Sequence, residues 1–533
     1  MTSFFNILAE TAATATVEPT GIVAFLTRSI PAAFVALPIL GALWLVLQPK
    51  IADKAARVSG LVFSFSTLFL CALTGIIAAT SDTAVQFSTR SQSSGPLNVS
   101  FDLTLHGISL LMVLLTGIIT PMALAASWKV ARPRLFNILF LLMQSAALGV
   151  FLAQNFFFWF LFWELSLFPA FFLIKLWGGH SASRAAYQFV IYTIGGSAFM
   201  LLAFAAIYAT TGTWDFTKLA WHLGSGGDAY GKIGATGTTL IFLGIFIGLA
   251  VKIPIFPFHT WLPDAYAEAP IGASMFLTAV MAKMGLYGFY IFLASLLPHE
   301  MAKAAHWLVW LALANIVFGA YAAMRQRDLK RMVAYSSVNH LGYCVLAFAV
   351  IRTRWIETTI FSHTDGEELT ALTRGISAAS DGAWLQMFNH GLSAAALFFC
   401  VGVLESRSGV RGLQDFGGVR KVAPLFAALC GFSMFSSLGL PGLNGFVGEF
   451  LIFRGVFAHL PWAAAIATLG LLGTAIFLLT FWQKVFHGPA GAHTGAITDL
   501  SKREIAALAP IVALMVLFGV WPQLLLDILK SLP

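Results

Sequence analysis

GLAVKIPIFPFHTWLPDA (248–265) is apolar enough in its first half to lie in lipid, yet it holds Lys252 and then Pro254, Pro257 and Pro263. Proline removes a helical hydrogen bond, and its ring clashes with the preceding turn. A helix passing through this stretch must break. Lipid offers no hydrogen bonds, so backbone freed at membrane depth has to line a cavity or be buried in protein. A second stretch, SMFSSLGLPGLNGFVGEF (433–450), shows the same interruption through Gly439, Pro441, Gly442 and Gly445, and then carries Glu449.

The rest of the composition requires lipid. The chain has 533 residues, 59% of them hydrophobic and only 10% charged. A soluble domain carries roughly 25% charged residues. A fold of this length without them has no exterior for water. The net charge of +8 does not mark a nucleic-acid binder. Lys and Arg sit in short loops between apolar runs, not on one stripe with interleaved aromatics. Cys71, Cys344, Cys400 and Cys430 lie apart within apolar runs and read as buried thiols. No ligand set for haem, an iron–sulfur cluster or zinc is visible, so no cofactor is expected in this chain. The opening MTSFFNILAETAATATVEPTG has no basic segment ahead of an apolar core, and is not expected to be a signal peptide.

A helical span needs roughly 20 apolar residues. Fourteen stretches qualify, near 29–48, 59–79, 106–128, 135–153, 155–177, 187–210, 235–258, 270–297, 304–324, 332–351, 383–404, 423–457, 460–483 and 505–525. The expected fold is an all-α polytopic membrane protein. Basic residues concentrate in the loops after odd-numbered spans, which places those loops in the cytoplasm and both termini on the non-cytoplasmic side. The two interrupted spans each fall fourth in a unit of five, 135–297 and 304–484. Residues 1–134 then supply helices 1–3, and 485–533 supply helix 14. Five is odd, so consecutive units insert with opposite topology. Interruptions at matching positions of inverted repeats point to an ion or substrate path.

A charge at mid-bilayer costs about 2.5–3.5 kcal/mol on insertion scales, so the few present are informative. Glu164 lies in FFFWFLFWELSLFPAFF (156–172) and Glu449 in GFVGEFLIF (445–453). Lys252 and Lys283 are the deepest bases. A carboxylate and an ammonium on packed helices make each other tolerable and couple their proton affinities. A lysine taken out of water gives up its proton more readily than one on a surface. Two readings stand: a proton path that alternately pairs and releases these groups, or static ion pairs. His259, His340 and His390 lie within spans or at the first break. Each reads either as a satisfied hydrogen-bonding residue or as a relay, since histidine titrates near neutral pH. Ser336 is four residues before His340, on the same helical face. Arg454 reads as a snorkelling base, and Asp264 and Glu268 as rim charges or the mouth of a path. The aromatic run at 156–163 reads as packing and RQRDLKRM (325–332) as a cytoplasmic anchor.

FPFHTWLPDAYAEAP (256–270), MAKMGLYGF (281–289), RDLKRMVAYSSVNHLGY (327–343), FNHGLSAAALF (388–398) and GLPGLNGFVGEF (439–450) together resemble the antiporter-like membrane subunits of respiratory complex I. The resemblance runs from about residue 100 to 525 and is strongest to the M-type chain (chain 4). Glu449 discriminates, because L-type, N-type and cation-antiporter relatives usually carry lysine there. The resemblance implies fourteen helices with two inverted five-helix repeats. It also implies a path through Glu164, Lys252, Lys283 and Glu449, with His340 and His390 between them. Tyr266 departs from the histidine that many members carry, which puts a proton role at that mouth in doubt. The stretch 351–384 is expected to form an unusually long loop, and no long lateral helix is expected after span fourteen.

The implied function is proton translocation coupled to electron transfer from NADH to quinone. FMN and iron–sulfur clusters are expected in partner subunits, L-type and N-type chains as membrane neighbours, and the bacterial inner membrane as the location. The alternatives are a cation/proton antiporter subunit, an ion-translocating subunit of an energy-converting hydrogenase-type complex, and a scaffold whose charges are structural.

Overall fold

A computed structural model of the chain describes residues 21–80, 86–91, 99–223, 229–360 and 366–532. The opening segment read for a signal peptide lies outside the described residues, apart from its last residue. Thirteen helices among those described are long and apolar enough to cross a membrane. In chain order the helices begin with α1 (Gly21–Leu47) and α2 (Asp53–Thr80), followed by a hairpin of β1 (Phe87–Arg90) and β2 (Asp102–Leu105). The hairpin was not anticipated. It leads into α3 (Gly107–Ala126), and α4 (Pro133–Leu152) follows.

The fifth span is two helices, α5 (Phe156–Leu165) and α6 (Leu167–Trp177), joined at Ser166. Asn155 starts it, its side chain accepting from Phe158 N at 2.9 Å and donating to Ser100 O at 2.7 Å. Next come α7 (Ala182–Thr211), α8 (Phe216–Leu223) and α9 (Ala229–Lys252). Helix α9 ends at Lys252, where the prolines begin, and the chain resumes as the short α10 (Leu262–Glu268). Helix α11 spans Ile271–Leu296 and contains two π-helical turns, Leu277–Met281 and Phe289–Leu296. Helices α12 (Pro298–Met324), α13 (Leu329–Ile360) and α14 (Gly366–Ser408) follow.

The twelfth span is broken as expected, into α15 (Pro424–Ser437) and α16 (Asn444–His459). The linking residues turn through Gly439 (φ 78°) and Gly442 (φ 93°), a left-handed backbone that glycine adopts without strain. The chain closes with α17 (Pro461–Phe486), α18 (Lys502–Val520) and the short α19 (Gln523–Ser531). Large apolar side chains such as Phe69, Leu202 and Phe457 point outward and stay exposed, the surface a lipid solvent requires.

One expectation is overturned. The stretch 351–384 is not a long loop, because its described residues are helical and extend α13 and α14. Small residues explain the difference. A Cβ added at Gly382 would lie 2.6 Å from Ile452 N, and one at Gly455 would lie 2.6 Å from the Ala379 Cβ. Helices α14 and α16 therefore pack backbone to backbone, and that contact supports a helix despite Arg374 and Asp381.

The anchor read at 325–332 is an ion-pair latch. Arg411 donates to Glu268 (2.7 Å), Asp328 (2.5 Å), Glu405 (3.3 Å) and the Ala267 carbonyl (2.8 Å). Lys330 pairs with Glu405 at 2.6 Å, and Arg331 pairs with Asp264. Glu268 and Asp264 are thus paired charges. Burial by itself raises the Glu268 carboxyl. The Arg411 hydrogen bond, the Ser181 amide and the charges of Arg411 and Lys330 outweigh burial and hold it below its ordinary 4.5. A lowered folded-state pKa stabilises the fold above the unfolded value, and that stability is lost as pH falls through the folded one. The Arg411→Gln variant is therefore expected to unfold earlier than the wild type at neutral pH in detergent. The gap between their thermal transitions should close as the pH falls from above 4.5 through the lowered folded value. A gap that holds constant across that range would show that the latch does not act through its carboxylates.

Candidate proton path

The first break places Lys252 at the end of α9, with 2% of its surface exposed. Its Nζ donates to Ser166 Oγ at 3.1 Å and lies 4.3 Å above the Trp163 ring. Ser166 in turn donates to Trp163 O at 2.7 Å. The joint in the fifth span thus receives the lysine. Glu164 lies within electrostatic reach of Lys252 but does not bond to it, and its Oε1 is buried without a hydrogen-bond partner. The ammonium is held by Ser166 and Trp163, not by a direct bond to Glu164. The aromatic run is packing, as read, but one of its members also faces the cation.

Lys283 sits fully buried in α11. Its Nζ donates to Thr278 O at 2.7 Å and bonds His390 Nδ1 at 2.8 Å. Thr278 belongs to the first π-helical turn of α11, and its hydroxyl bonds Ser337 at 3.0 Å. Such widened turns recur at functional sites. Ser336, the neighbour of Ser337, is buried and makes no such bond.

His340 and Glu449 form a second couple, His340 Nδ1 lying 2.9 Å from Glu449 Oε1. Gln386 Nε2 donates to the same oxygen at 3.1 Å. The backbone of the second break approaches the other oxygen, since a Cβ at Gly439 would lie 2.9 Å from Glu449 Oε2. The rings of His340 and His390 stand 5.2 Å apart, centroid to centroid. The Nε2 atoms of both are buried and unpartnered.

The structure thus brings Lys283, His390, His340 and Glu449 into one string. His259 is not part of it. It lies on the first break with Nδ1 unpartnered, packed 5.1 Å from Phe318 and 5.6 Å from Phe256. Tyr266 donates to Leu277 O at 3.0 Å and ties α10 to the π-helical turn. Arg454 is exposed, as a snorkelling base would be. Sequence reading missed Ser166, Thr278, Ser337 and Gln386, neutral polar groups that carry no distinctive signal. It also missed Glu300, buried at the start of α12 and satisfied by Tyr230 (2.7 Å), Thr239 (3.0 Å) and Lys303 (2.8 Å). Those donors leave it a helix tie. A cavity of about 720 Å³ opens beside the latch, lined by Glu268, Lys330 and Glu405 among others. Among the described residues no three His, Cys, Asp or Glu side chains cluster to hold a metal ion.

Buried titratable groups strung along broken helices of a polytopic bundle define an ion-translocating membrane subunit. The chain matches the model of the membrane family described as NADH:quinone oxidoreductase/Mrp antiporter over residues 153–364 and 368–476, and it belongs to that family. Among its relatives, the NADH-quinone oxidoreductase subunit M of Rhodobacter capsulatus is 36% identical over 452 residues, 81% of each chain. In the solved structure of respiratory complex I from Thermus thermophilus with bound NADH, one chain is 27% identical with a TM-score of 0.78. That match covers 94% of this chain and 99% of the other. A chain of the Mrp complex from Dietzia sp. superposes with a TM-score of 0.79 at 20% identity, covering 95% and 96%, a likeness of fold alone. This chain is an integral membrane protein and part of a multi-subunit membrane complex.

Proposed function

We propose that the chain translocates protons as the M-type membrane subunit of an NADH-quinone oxidoreductase, along Lys283, His390, His340 and Glu449. The observation that carries this is the pair of couples, Lys283–His390 and His340–Glu449, whose histidine rings stand 5.2 Å apart, each with a buried, unpartnered Nε2. The relay takes tautomers that these hydrogen bonds admit. His390 Nδ1 accepts from Lys283, so its proton sits on Nε2. His340 donates from Nδ1 to the Glu449 carboxylate, so its Nε2 is free to accept. Lys283 then passes a proton to His390 Nδ1, and His390 releases its other proton from Nε2 toward His340 Nε2. His340 hands its Nδ1 proton to Glu449, which discharges it. Each ring ends in the opposite tautomer, and a ring rotation resets it. The ring-to-ring gap is the natural gate, since a water or a ring movement has to close it.

Lys252, Ser166 and Glu164 form the upstream switch. A shift of charge at Glu164, driven from a neighbouring membrane subunit, changes how firmly Lys252 holds its proton on Ser166. On this reading, 135–297 and 304–484 are inverted units, the first break feeds the string and the second stands beside Glu449, and the cavity at Glu268, Lys330 and Glu405 serves as its mouth. His259 and Ser336 lie beside the path as supporting groups. FMN and iron–sulfur clusters in partner subunits carry the electrons from NADH to quinone, and L-type and N-type chains flank this one. The chain lies in a bacterial inner membrane with both termini on the non-cytoplasmic side.

The test is to tag the chain, extract the assembly in mild detergent, and measure NADH:quinone reduction and proton uptake in liposomes. Glu164→Gln keeps the size of the side chain and removes its charge. It is expected to leave the assembly intact and to lower pumping severalfold, the scale of a lost buried charge interaction. Weakened assembly with normal pumping would support the scaffold reading instead. Sodium/proton exchange without NADH oxidation would identify an antiporter.

A further inference from the structure

The polar groups of the first break do not end at Lys252. Phe256 N donates to Asn315 Oδ1 at 2.6 Å, and Asn315 Nδ2 donates to Pro254 O at 3.1 Å. A single carboxamide on α12 thus satisfies a donor and an acceptor that the prolines leave without helical partners. Asn315 is fully buried. The next residue, Ile316, accepts through its carbonyl from Asn339 Nδ2 at 2.7 Å, and Asn339 Oδ1 accepts from Thr474 at 3.2 Å. Asn339 directly precedes His340. A neutral line therefore runs from the first break, through Asn315–Ile316 and Asn339–His340, to Glu449. It does not pass through Lys283.

The helices that carry this line have no slack. A Cβ added at Gly319 would lie 2.7 Å from Asn339 N, and one at Gly342 would lie 2.8 Å from the Ile316 side chain and 3.0 Å from the Asn315 Cβ. Packed interiors transmit displacement because they cannot absorb it. If the break shifts when Lys252 changes its proton, Pro254 O and Phe256 N must keep Asn315 with them. Otherwise two buried polar groups go unpaired, the costlier outcome. Helix α12 then shifts against α13 at the contact beside His340.

We infer that Asn315 is a positioning residue that links the geometry of the first break to the His340–Glu449 couple, so that Glu449 is loaded in step with Lys252. This rests on the proposed proton path. The test uses the whole assembly in liposomes and reads protons moved per NADH oxidised. Glu449→Gln, measured alongside, defines the share of pumping that this path carries. Asn315→Leu removes both bonds at similar volume, and is expected to remove at least about half of that share. Asn315→Asp is expected to restore it, because a buried neutral carboxyl can accept from Phe256 N and donate to Pro254 O. Asn315→Leu combined with Asn339→Leu is expected to cost no more than the worse single variant. If Asn315→Leu does not assemble, Asn315→Ser carries the same expectation without added bulk.

Normal stoichiometry in Asn315→Leu or Asn315→Ser overturns the inference, as does additive loss in the double variant. A Leu-like loss in Asn315→Asp also overturns it, since that shows a packing role. Normal pumping in Glu449→Gln overturns the proton path and the inference together, which separates that failure from the others.

Discussion

Glu449→Gln is expected to stop proton transfer through this chain while leaving its fold in place. Glutamine has nearly the same shape, and its Oε1 can still accept from His340 Nδ1 and Gln386 Nε2, which meet Glu449 at 2.9 and 3.1 Å. What it cannot do is take up a proton and give it away. His340 then has nowhere to deliver, and the string backs up to Lys283. Losing a proton-transfer group of this kind slows a step on the order of 10²-fold or more. Proton movement per NADH should fall to whatever the other membrane subunits supply. The measurement is dye-reported acidification in liposomes against NADH oxidation in the same sample. Full stoichiometry in Glu449→Gln would show that protons leave by another route. Glu449→Asp separates charge from reach. It keeps the titratable group but shortens the arm by one methylene, so partial pumping is expected.

The two breaks were legible because proline, glycine and charge are costly in lipid. Lys252 before Pro254 and Glu449 after Gly442 have no cheap explanation in an apolar run, and they stand in the structure where the sequence suggested. Lys283, His340 and His390 were legible for the same reason. The string that joins them was not. It depends on Lys283 reaching back five residues to Thr278, a spacing that serves only because α11 opens into a π-helical turn there. Helical-face arithmetic put Ser336 on the face of His340. Helix α13, however, is used on several faces at once, with Ser337 toward α11, Asn339 toward α12 and His340 toward α16. A regular four-residue spacing cannot rank faces that are all buried. Helix α14 was misread for a related reason, since hydropathy does not register the close backbone packing that Gly382 permits against Ile452. Asn315 was invisible because one amide in an apolar helix looks like any other until the backbone it satisfies is in view.

Lys283→Arg is the sharpest separation of charge from titration in the string. Arginine keeps the positive charge that His390 and Thr278 face at 2.8 and 2.7 Å, and it brings more donors than lysine. Its guanidinium does not lose its proton in a protein. If Lys283 is a static counter-charge, Lys283→Arg should pump nearly as well as the wild type. If it is a relay, the variant is expected to block proton transfer as completely as Lys283→Met, on the order of 10²-fold. The Met variant has its own cost, because His390 Nδ1 is then buried without a partner at about 1–3 kcal/mol. Weaker assembly is therefore expected for Met than for Arg, with equal loss of pumping in both. That pattern, with stability and pumping moving independently, is what a proton relay requires and a structural cation cannot produce. Full pumping in Lys283→Arg would remove Lys283 from the path and leave His390 to be fed from elsewhere.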